Sequence, residues 1–187
     1  MTNASIDEWV IRAQNGAVEA MSFLYLNHYQ SIYRYLYFRA GDPQTAEDLT
    51  SEVFLKMIQA LPHYRMQNVP FQAWLFQIAR NLAIDYHRKQ ASHPSVELKE
   101  DLKDGHQPLD ETLEIKLTHA SLTQSLEKLT DDQRDVILLR FVEGMSLAQV
   151  GKILHKSEDS IKRLQHRALI SLRIELHHQE TDHDRIN

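Results

Sequence analysis

Apolar residues recur every three or four positions along most of this chain, which is the spacing of an amphipathic helix. Two such stripes are Ala46, Leu49, Val53 and Met57, and Phe71, Trp74, Leu75, Ile78, Ala79 and Leu82. Each stripe places apolar side chains on one side of a helix and polar ones on the other. No segment alternates in the manner of a half-buried strand, so the pattern predicts an all-α protein.

Helix start and stop signals divide this pattern into separate helices. Capping boxes, in which two side chains satisfy free backbone N–H groups, are expected at Ser5 to Glu8, Thr130 to Gln133 and Ser146 to Gln149. Gly41 can close a helix of residues 17–39 in the left-handed conformation, and Asp42 and Pro43 then begin the next helix. The other breaks are expected at Gly16, Pro62, Pro70 and Gly144.

The helical spacing fails between Ala91 and about Leu109, where proline, glycine and acidic residues are scattered. It resumes with Leu113, Leu117, Leu122, Leu126 and Leu129. The sequence therefore predicts two small helical domains, residues 1–90 and 111–176, joined by a flexible acidic linker at 91–110. Residues 177–187 are rich in histidine and are expected to form a frayed tail.

Composition excludes several classes of protein. The chain has 187 residues and no cysteine, which rules out disulfide scaffolds, iron–sulfur clusters and cysteine zinc sites. Its glycines lie too far apart for a phosphate-cradling loop. The longest apolar runs are far shorter than a membrane span, so we expect a cytoplasmic protein. Since the motifs of common cofactor sites are absent from the sequence, we expect no cofactor.

The formal net charge of -5 conceals two basic segments. Residues 61–90 carry Arg65, Arg80, Arg88 and Lys89 against Asp85 alone. Residues 152–173 carry Lys152, Lys156, Lys162, Arg163, Arg167 and Arg173 against Glu158 and Asp159. Two basic segments are compatible with two contacts to a polyanion, but charge alone favours the alternative of two solvated helix faces.

The second basic segment has the dimensions of a helix-turn-helix, with a short helix from Ser146 to Leu154 and a longer one from Ser157. If Ile161, Leu164 and Ala168 pack inward, the opposite face carries Ser160, Lys162, Arg163, His166 and Arg167. Such a face can reach base edges and phosphates in the major groove. An ordinary helical hairpin with a basic outer face is the alternative.

The first basic segment is interleaved with aromatic residues, as in proteins that stack single-stranded bases. Most of these rings belong to the apolar stripe, which leaves Tyr64, Tyr86 and His87 as stacking candidates. Asn81, Asp85 and Arg88 share one exposed face, where Asp85 can orient Arg88 through the i+3 spacing. A surface ion pair of little energetic value is the alternative for Asp85 with Arg88 and Lys89.

The exposed side of the third helix combines acidic and apolar residues in the strip Asp48, Glu52, Leu55 and Gln59. This favours a docking surface for a helix of another protein over a catalytic carboxylate pair. We assign no metal site. Glu175-x-x-His178 and Glu180-x-x-His183 have di-iron spacing, but they lie close together in a single segment instead of on facing helices.

Two stretches of the first half resemble region 2 of bacterial extracytoplasmic-function sigma factors. They are DP..AEDLTSEVF over residues 42–54 and FQAWLFQIARNLAIDY over residues 71–86. Residues 129–173 resemble region 4 of the same family. Among the departures, Ser51 replaces the usual Gln, His155 stands where Gly is frequent, and Asp159-Ser160 replace Gly-Thr.

The resemblance implies a non-enzymatic transcription initiation subunit that binds core RNA polymerase, promoter DNA and an anti-sigma factor. The polymerase partners would be the beta-prime clamp and the beta flap. The third helix would bind the clamp through Asp48, Ser51, Glu52, Leu55 and Gln59. Region 2 would read and melt the minus ten element with Tyr64, Arg80, Asn81, Asp85, Arg88 and Lys89. Region 4 would read the minus thirty-five element with Ser160, Lys162, Arg163, His166 and Arg167.

Two other functions fit parts of the sequence. A one-component helix-turn-helix regulator would bind duplex DNA without polymerase and use the first half to sense a ligand or partner. A metalloenzyme built on histidines and carboxylates would contain stoichiometric metal. Run-off transcription with core polymerase separates these hypotheses from the sigma factor.

Overall fold

A computed structural model describes residues 5–66, 69–92 and 122–183 of the chain, with side chains up to residue 175. Within these ranges every regular element is helical, which confirms the all-α prediction. The elements are α1 (Ile6–Gln14), α2 (Val18–Ala40), α3 (Pro43–Ala60), a 3-10 turn (Leu61–His63), α4 (Phe71–Ser92), α5 (122–127), α6 (Asp131–Ile137), a π-helical turn (Leu138–Val142), α7 (Leu147–Leu154) and α8 (Glu158–His183).

The predicted helix boundaries rest on capping interactions that the structure contains. All three capping boxes form both of their side-chain to backbone hydrogen bonds, at Ser5 and Glu8, Thr130 and Gln133, and Ser146 and Gln149. Gly41 adopts the left-handed conformation with φ 83°. The next residue, Asp42, accepts a hydrogen bond from the Thr45 N–H at 2.8 Å, which caps α3.

Two helices extend beyond the expected ends. α4 continues through Ala91 and Ser92, the first two residues of the expected linker, and the Ser92 hydroxyl donates to the carbonyl of Arg88. α8 continues to His183, past the expected start of fraying. No glycine or proline follows Ser157, so nothing in the sequence interrupts the backbone ladder. The rest of the linker, with Leu113 and Leu117, lies outside the described residues.

The first module packs α1 to α4 around an apolar core. Both predicted stripes are buried at Ala46, Leu49, Val53, Met57, Phe71, Leu75, Ala79 and Leu82. Trp74 and Ile78 are only half-buried, because they line a cleft between α3 and α4. The Gln14 side-chain amide donates to the carbonyls of Leu61 and Tyr64, which ties α1 to the turn that follows α3.

The second module packs α5 to α8 around its own buried residues. They include Leu126, Leu129, Val136, Leu138, Leu139, Val150, Ile153, Ile161 and Ala168. The buried Arg134 side chain belongs to this module, and its Nε donates a hydrogen bond to the carbonyl of Leu126 at 2.9 Å. This packing fixes the position of α8 and leaves one face of that helix exposed to solvent.

The two modules pack directly against each other. α4 contacts α7, and α2 contacts the π-helical turn. The buried residues of both modules form one continuous cluster. The sequence predicted two domains and a linker, but it did not predict this contact, because the apolar spacing of each helix does not identify a partner that is distant along the chain.

His28 is a buried polar residue in the core of the first module. Its Nε2 atom has no hydrogen-bond partner among the described residues, and its ring lies 5.4 Å from that of Phe71. Burial lowers the pKa of His28 to about 4. The folded chain therefore holds this imidazole neutral at pH values where an exposed histidine is charged.

We expect the free energy of unfolding to decrease as the pH falls from about 6.5 to about 4. In that window His28 is protonated in the unfolded chain but not in the folded chain. The free energy of unfolding therefore falls with pH, by up to about 3 kcal/mol in total. Urea unfolding as a function of pH measures this. His28→Leu should flatten the dependence and His63→Gln, at an exposed position, should not; equal slopes for all three proteins contradict the assignment.

Candidate nucleic-acid interfaces

α7 and α8 form a helix-turn-helix of the predicted dimensions. His155 ends α7 in the left-handed conformation at φ 54°. The Ser157 hydroxyl then accepts a hydrogen bond from the Ser160 N–H, which caps the start of α8. Of the three residues expected to pack inward, Ile161 and Ala168 are fully buried, and Leu164 is half-buried against the core.

The outward face of α8 carries the five residues that the sequence assigned to duplex binding. Lys162, Arg163, His166 and Arg167 are exposed, and Ser160 is half-buried. The Arg163 guanidinium donates to the Ser160 hydroxyl at 3.1 Å, which orients the side chain along the helix. The Asp159 carboxylate lies 3.5 Å from the Lys162 ammonium, so this unexpected acid is compensated by its own helix.

The turn of this motif depends on Gly151. A Cβ atom at this position would lie 2.7 Å from the carbonyl oxygen of Lys156, which is closer than nonbonded atoms approach. The clash would involve backbone instead of a flexible side chain. Gly151 therefore allows α7 to approach the segment that leads into α8.

The exposed face of α4 agrees with its helical spacing. Asn81, Arg88 and Lys89 are exposed, and Asp85 is half-buried. The Asp85 carboxylate accepts a hydrogen bond from Arg88 at 2.9 Å, which confirms the predicted i+3 pair. Both side chains are largely solvated, so the pair orients Arg88 more than it stabilises the helix.

A cleft of about 440 Å³ between α3 and α4 was not predicted. Its apolar wall is formed by Trp74, Ile78 and Leu82, and its polar rim includes Asn81 and Asp85. Clefts that combine an apolar wall with a few polar groups are typical binding sites for flat ligands. The sequence placed the wall residues on the apolar stripe, and it gave no sign that α3 leaves them partly uncovered.

The structure places Tyr64 in the core, whereas the sequence proposed it as an exposed stacking residue. Its hydroxyl donates to the Val69 carbonyl at 2.6 Å, and its ring lies 4.6 Å from that of Trp74. Burial raises the pKa of Tyr64 to about 12. In this conformation the ring is unavailable for stacking, because it completes the aromatic packing beneath the turn after α3.

The other two stacking candidates are also engaged with the protein. The Tyr86 hydroxyl accepts a hydrogen bond from Gln90 at 3.0 Å. His87 Nε2 lies 2.8 Å from the carbonyl oxygen of Arg39. Burial lowers the pKa of His87, although its contact with the Arg39 carbonyl opposes this shift. Both rings are half-buried.

The strip on α3 faces solvent as predicted, with Asp48, Ser51, Glu52, Leu55 and Gln59 all exposed. Leu55 is 55% exposed, and Ile58, which the sequence analysis did not include, is 48% exposed. Ile58 could have been identified from the sequence, because it lies three residues after Leu55 and therefore on the same side of the helix. The strip therefore presents two apolar side chains inside an acidic and polar border.

The contact between the modules is centred on the buried carboxylate of Asp135. Its Oδ1 accepts a hydrogen bond from the Tyr35 hydroxyl at 2.7 Å, and its Oδ2 accepts one from Arg80 Nε at 2.7 Å. Burial, followed by the charge of Asp135, raises the pKa of Tyr35 well above its ordinary value. The tyrosine therefore remains a neutral donor.

Arg80, which the sequence assigned to promoter DNA, points into this contact. Besides Asp135, its guanidinium binds Asp132 at 2.9 Å, and the side chain is only 16% exposed. Asp132 is in turn 3.1 Å from the Lys156 ammonium. The helical pattern of α4 placed Arg80 beside Asn81, but its partners lie on α6 and were not predicted.

Arg39 is a fully buried cation at the same contact. Its Nη1 lies 2.9 Å from Asp131 and its Nε lies 3.6 Å from Asp135. These are ion pairs by distance only, because no N–H of this guanidinium has hydrogen-bond geometry to a described residue. Burial lowers the pKa of Arg39, but Asp135, Tyr35 and Asp131 together outweigh burial, and the net shift of this pKa is upward.

The rim of the contact adds two polar links. Arg34 donates two hydrogen bonds to the Glu143 carboxylate, at 2.9 and 3.1 Å. The Gln77 amide donates to the Lys152 carbonyl at 2.8 Å. Since Asp131 lies beside Arg39 and Glu143 beside Arg34, α6 and its π-helical turn run antiparallel to α2.

No cluster of metal-ligating side chains occurs among the residues that the structure describes. The side chains of His178, Glu180 and His183 lie outside that set. No helix in the described ranges is long and apolar enough to cross a bilayer.

Comparisons with known proteins match both halves of the chain. The family model Sigma-70 region 2 matches residues 24–93, and Sigma-70, region 4 matches residues 125–173. The ECF RNA polymerase sigma factor BldN of Streptomyces coelicolor is 37% identical over 173 residues, covering 91% of this chain and 65% of that protein. The ECF RNA polymerase sigma factor SigX of Bacillus subtilis is 32% identical over 161 residues, covering 83% of this chain and 82% of that protein.

Solved structures share the fold. CnrH, in complex with the cytosolic domain of CnrY, aligns with a TM-score of 0.73 at 22% identity, covering 92% of this chain and 97% of that one. The sigma factor RpoE in complex with the anti-sigma factor NepR from Bartonella quintana aligns with a TM-score of 0.68, also at 22% identity, covering 85% of this chain and 98% of that one.

We expect Gly151→Ala to destabilise the helix-turn-helix by about 1–3 kcal/mol, because the new methyl group meets the Lys156 carbonyl. Urea unfolding measures the change. Ala148→Ser, at an exposed position of the same helix, is the control and should alter stability little. A Gly151→Ala protein as stable as the unmodified chain contradicts the close approach.

Proposed function

The chain belongs to the extracytoplasmic-function (ECF) RNA polymerase sigma factors, and we propose that its described surfaces divide the work of promoter recognition between the two modules. The family is not enzymatic, since the polymerase carries out the chemistry. The observation that carries this proposal is the exposed basic first turns of α8, on a helix-turn-helix within the Sigma-70 region 4 match. From here the first module is called region 2 and the second region 4.

The α3 strip binds core RNA polymerase in this proposal. Leu55 and Ile58 supply exposed apolar area, and Asp48 and Glu52 border it with negative charge. A helix that presents apolar residues within a charged border fits against a helix of a partner. The beta-prime clamp is the partner that the family resemblance implies for this strip. The resemblance also implies the beta flap as a polymerase partner, without residues assigned to it.

Region 2 reads and opens the minus ten element. Bases extruded from the non-template strand enter the cleft between α3 and α4, where Trp74 and Ile78 offer apolar surface and Asn81 a hydrogen-bonding edge. Arg88 and Lys89 contact the phosphates nearby. Contacts in the cleft offset the few kcal/mol that unstacking each base costs, so binding free energy opens the duplex.

Region 4 reads the minus thirty-five element with the outer face of α8. Arg163 and Arg167 lie one turn apart, and arginine is the side chain best suited to a guanine edge in the major groove. Ser160, Lys162 and His166 contact the neighbouring sugar–phosphate backbone of the DNA. The compensation of Asp159 by Lys162 supports this role, since it reduces the repulsion of a nearby phosphate.

Simultaneous binding of both elements requires the modules to separate. About 25 base pairs lie between the elements, which is roughly 85 Å at 3.4 Å per base pair. In the structure α4 packs on α7 directly. The chain between residues 92 and 122 contains 29 residues and can reach up to roughly 100 Å. The compact arrangement therefore does not allow both elements to be bound at the same time.

An anti-sigma factor completes the list of proposed partners, and the cytoplasm, where promoter DNA and polymerase are found, is the proposed location. The related structure of RpoE contains the anti-sigma factor NepR, and that of CnrH contains the cytosolic domain of CnrY. The corresponding partner of this chain would hold it away from the polymerase.

Run-off transcription with core polymerase tests the proposal. The unmodified chain should support transcription from its own promoter, and Leu55→Glu should reduce polymerase binding about tenfold or more, since it buries a charge in an apolar contact. Ile11→Glu, at an exposed apolar position on α1, is the control and should behave as the unmodified chain. Duplex binding without any transcription supports the polymerase-independent regulator instead.

Arg163→Ala and Arg167→Ala should each weaken binding to duplex DNA that carries the upstream element, by about 1–3 kcal/mol where a base edge is lost. Fluorescence anisotropy of a labelled duplex measures the dissociation constant. Arg173→Ala, at an exposed position further along α8, serves as the control. If all three variants bind equally well, α8 does not present its first turns to DNA.

A further inference from the structure

Three arginines of region 2 line the contact with region 4. Arg34 and Arg39 lie on α2, and Arg80 lies on α4. Within the described ranges, each carboxylate that pairs with this arginine row belongs to region 4: Glu143 with Arg34, Asp131 and Asp135 with Arg39, and Asp132 and Asp135 with Arg80. Separation of the modules therefore removes the counter-charges of all three guanidinium groups together.

The acidic face of region 4 offers the arginine row negatively charged oxygen atoms, as the phosphates of a nucleic-acid strand would. Asp131, Asp132 and Asp135 lie on α6, and Glu143 directly follows the π-helical turn. Arginine binds carboxylates and phosphates with the same planar fork of N–H groups. Arg34 binds Glu143 through such a fork, with Nε and Nη2 on separate oxygens.

One member of the arginine row lies on the same helix as the proposed promoter surface. Arg80 immediately precedes Asn81, which lines the cleft, and α4 continues to the exposed Arg88 and Lys89. A strand whose bases enter the cleft would follow α4, the helix that carries Arg80. Since Arg80 is held by Asp132 and Asp135 in the compact form, it cannot bind carboxylate and phosphate at the same time.

We propose that Arg34, Arg39 and Arg80 form a phosphate-binding site for the melted promoter strand, which the acidic face of region 4 occupies in the compact form. This inference rests on the proposed function, and it adds Arg34 and Arg39 to the DNA-binding surface. Promoter DNA and region 4 compete for the same cations, so binding of the strand and separation of the modules are coupled.

The burial of the ions explains why the site can switch. Arg39 and Asp135 have fully buried side chains, and removal of either partner leaves the other charge buried and unpaired. Loss of the Asp135 charge thus favours separation, after which water or phosphate can solvate the arginines. An apolar contact of equal area would gain nothing from the arrival of a phosphate.

The first experiment measures binding of the full-length free protein to a labelled single-stranded oligonucleotide of mixed sequence and about 16 nucleotides. Asp135→Asn keeps the shape of the side chain and removes its charge, and we expect affinity to rise about tenfold as the competent form becomes populated. Asp7→Asn, on α1, removes the same charge outside the contact and should leave affinity unchanged. Equal affinity for Asp135→Asn and Asp7→Asn overturns the proposal.

The second experiment separates a DNA contact from a purely structural role of the arginines. In the Asp135→Asn background the modules are already released, so Arg34→Gln or Arg39→Gln should now weaken strand binding several-fold. Each should also reduce the slope of log K against log salt concentration by about 0.7, the value for one phosphate contact on a single strand. If affinity and slope are unchanged in this background, the arginines only hold the modules together and the proposal fails.

The third experiment follows the separation itself. The chain has no cysteine, so Ser22→Cys and Gln124→Cys, both at exposed positions, allow a spin-label pair across the modules. The distance should lengthen on addition of the oligonucleotide and in Asp135→Asn. A distance that the oligonucleotide leaves unchanged, despite binding, overturns the competition.

Two further measurements keep the outcome decisive. If Asp135→Asn does not fold, as judged by circular dichroism, Asp132→Asn replaces it, because Asp132 is one-third exposed and pairs with the same Arg80. Run-off transcription by the unmodified chain tests the proposed function separately. Transcription together with unaltered strand binding in every arginine variant overturns this inference and leaves the sigma factor assignment intact.

Discussion

The carboxylate of Asp135 is the interaction on which the compact form depends. It lies between the modules, bound by the Tyr35 hydroxyl and Arg80 and flanked by Arg39. A fully buried carboxylate is tolerated only where donors and opposite charge replace its water. Because all three partners come from region 2, this carboxylate keeps its donors and its opposite charge only while the two modules are packed together.

The module cores are apolar, whereas the centre of the contact between the modules is ionic. This difference explains how the two modules can separate while each stays folded. Each core is made of aliphatic and aromatic side chains, and exposing it to water is costly at every pH and salt concentration. The centre of the contact is ionic, and each of its members has an alternative partner in water or phosphate. Opening of the contact, which promoter binding over a long stretch of DNA requires, breaks these ion pairs together with the apolar contacts that join the two cores.

Local features of the sequence predicted local features of the structure. The capping boxes at Ser5, Thr130 and Ser146, the left-handed Gly41 and the buried stripe of α3 all involve residues within a few positions of one another. The exposed face of α8 followed in the same way from Ile161 and Ala168. The buried position of Tyr64 did not, because its hydroxyl is satisfied by a carbonyl in the turn and its ring by Trp74 on another helix.

The sequence by itself determined the helices, the helix-turn-helix, the acidic strip on α3 and the family. Only the tertiary structure decided which basic residues face solvent and which are held by the other module. Arg88 and Arg163 face solvent, whereas Arg80 and Arg39 are neutralised by carboxylates of the other module. The physical reason is range: helical periodicity relates residues a turn or two apart, but Tyr35 and Asp135 are 100 residues apart and meet only when the modules pack.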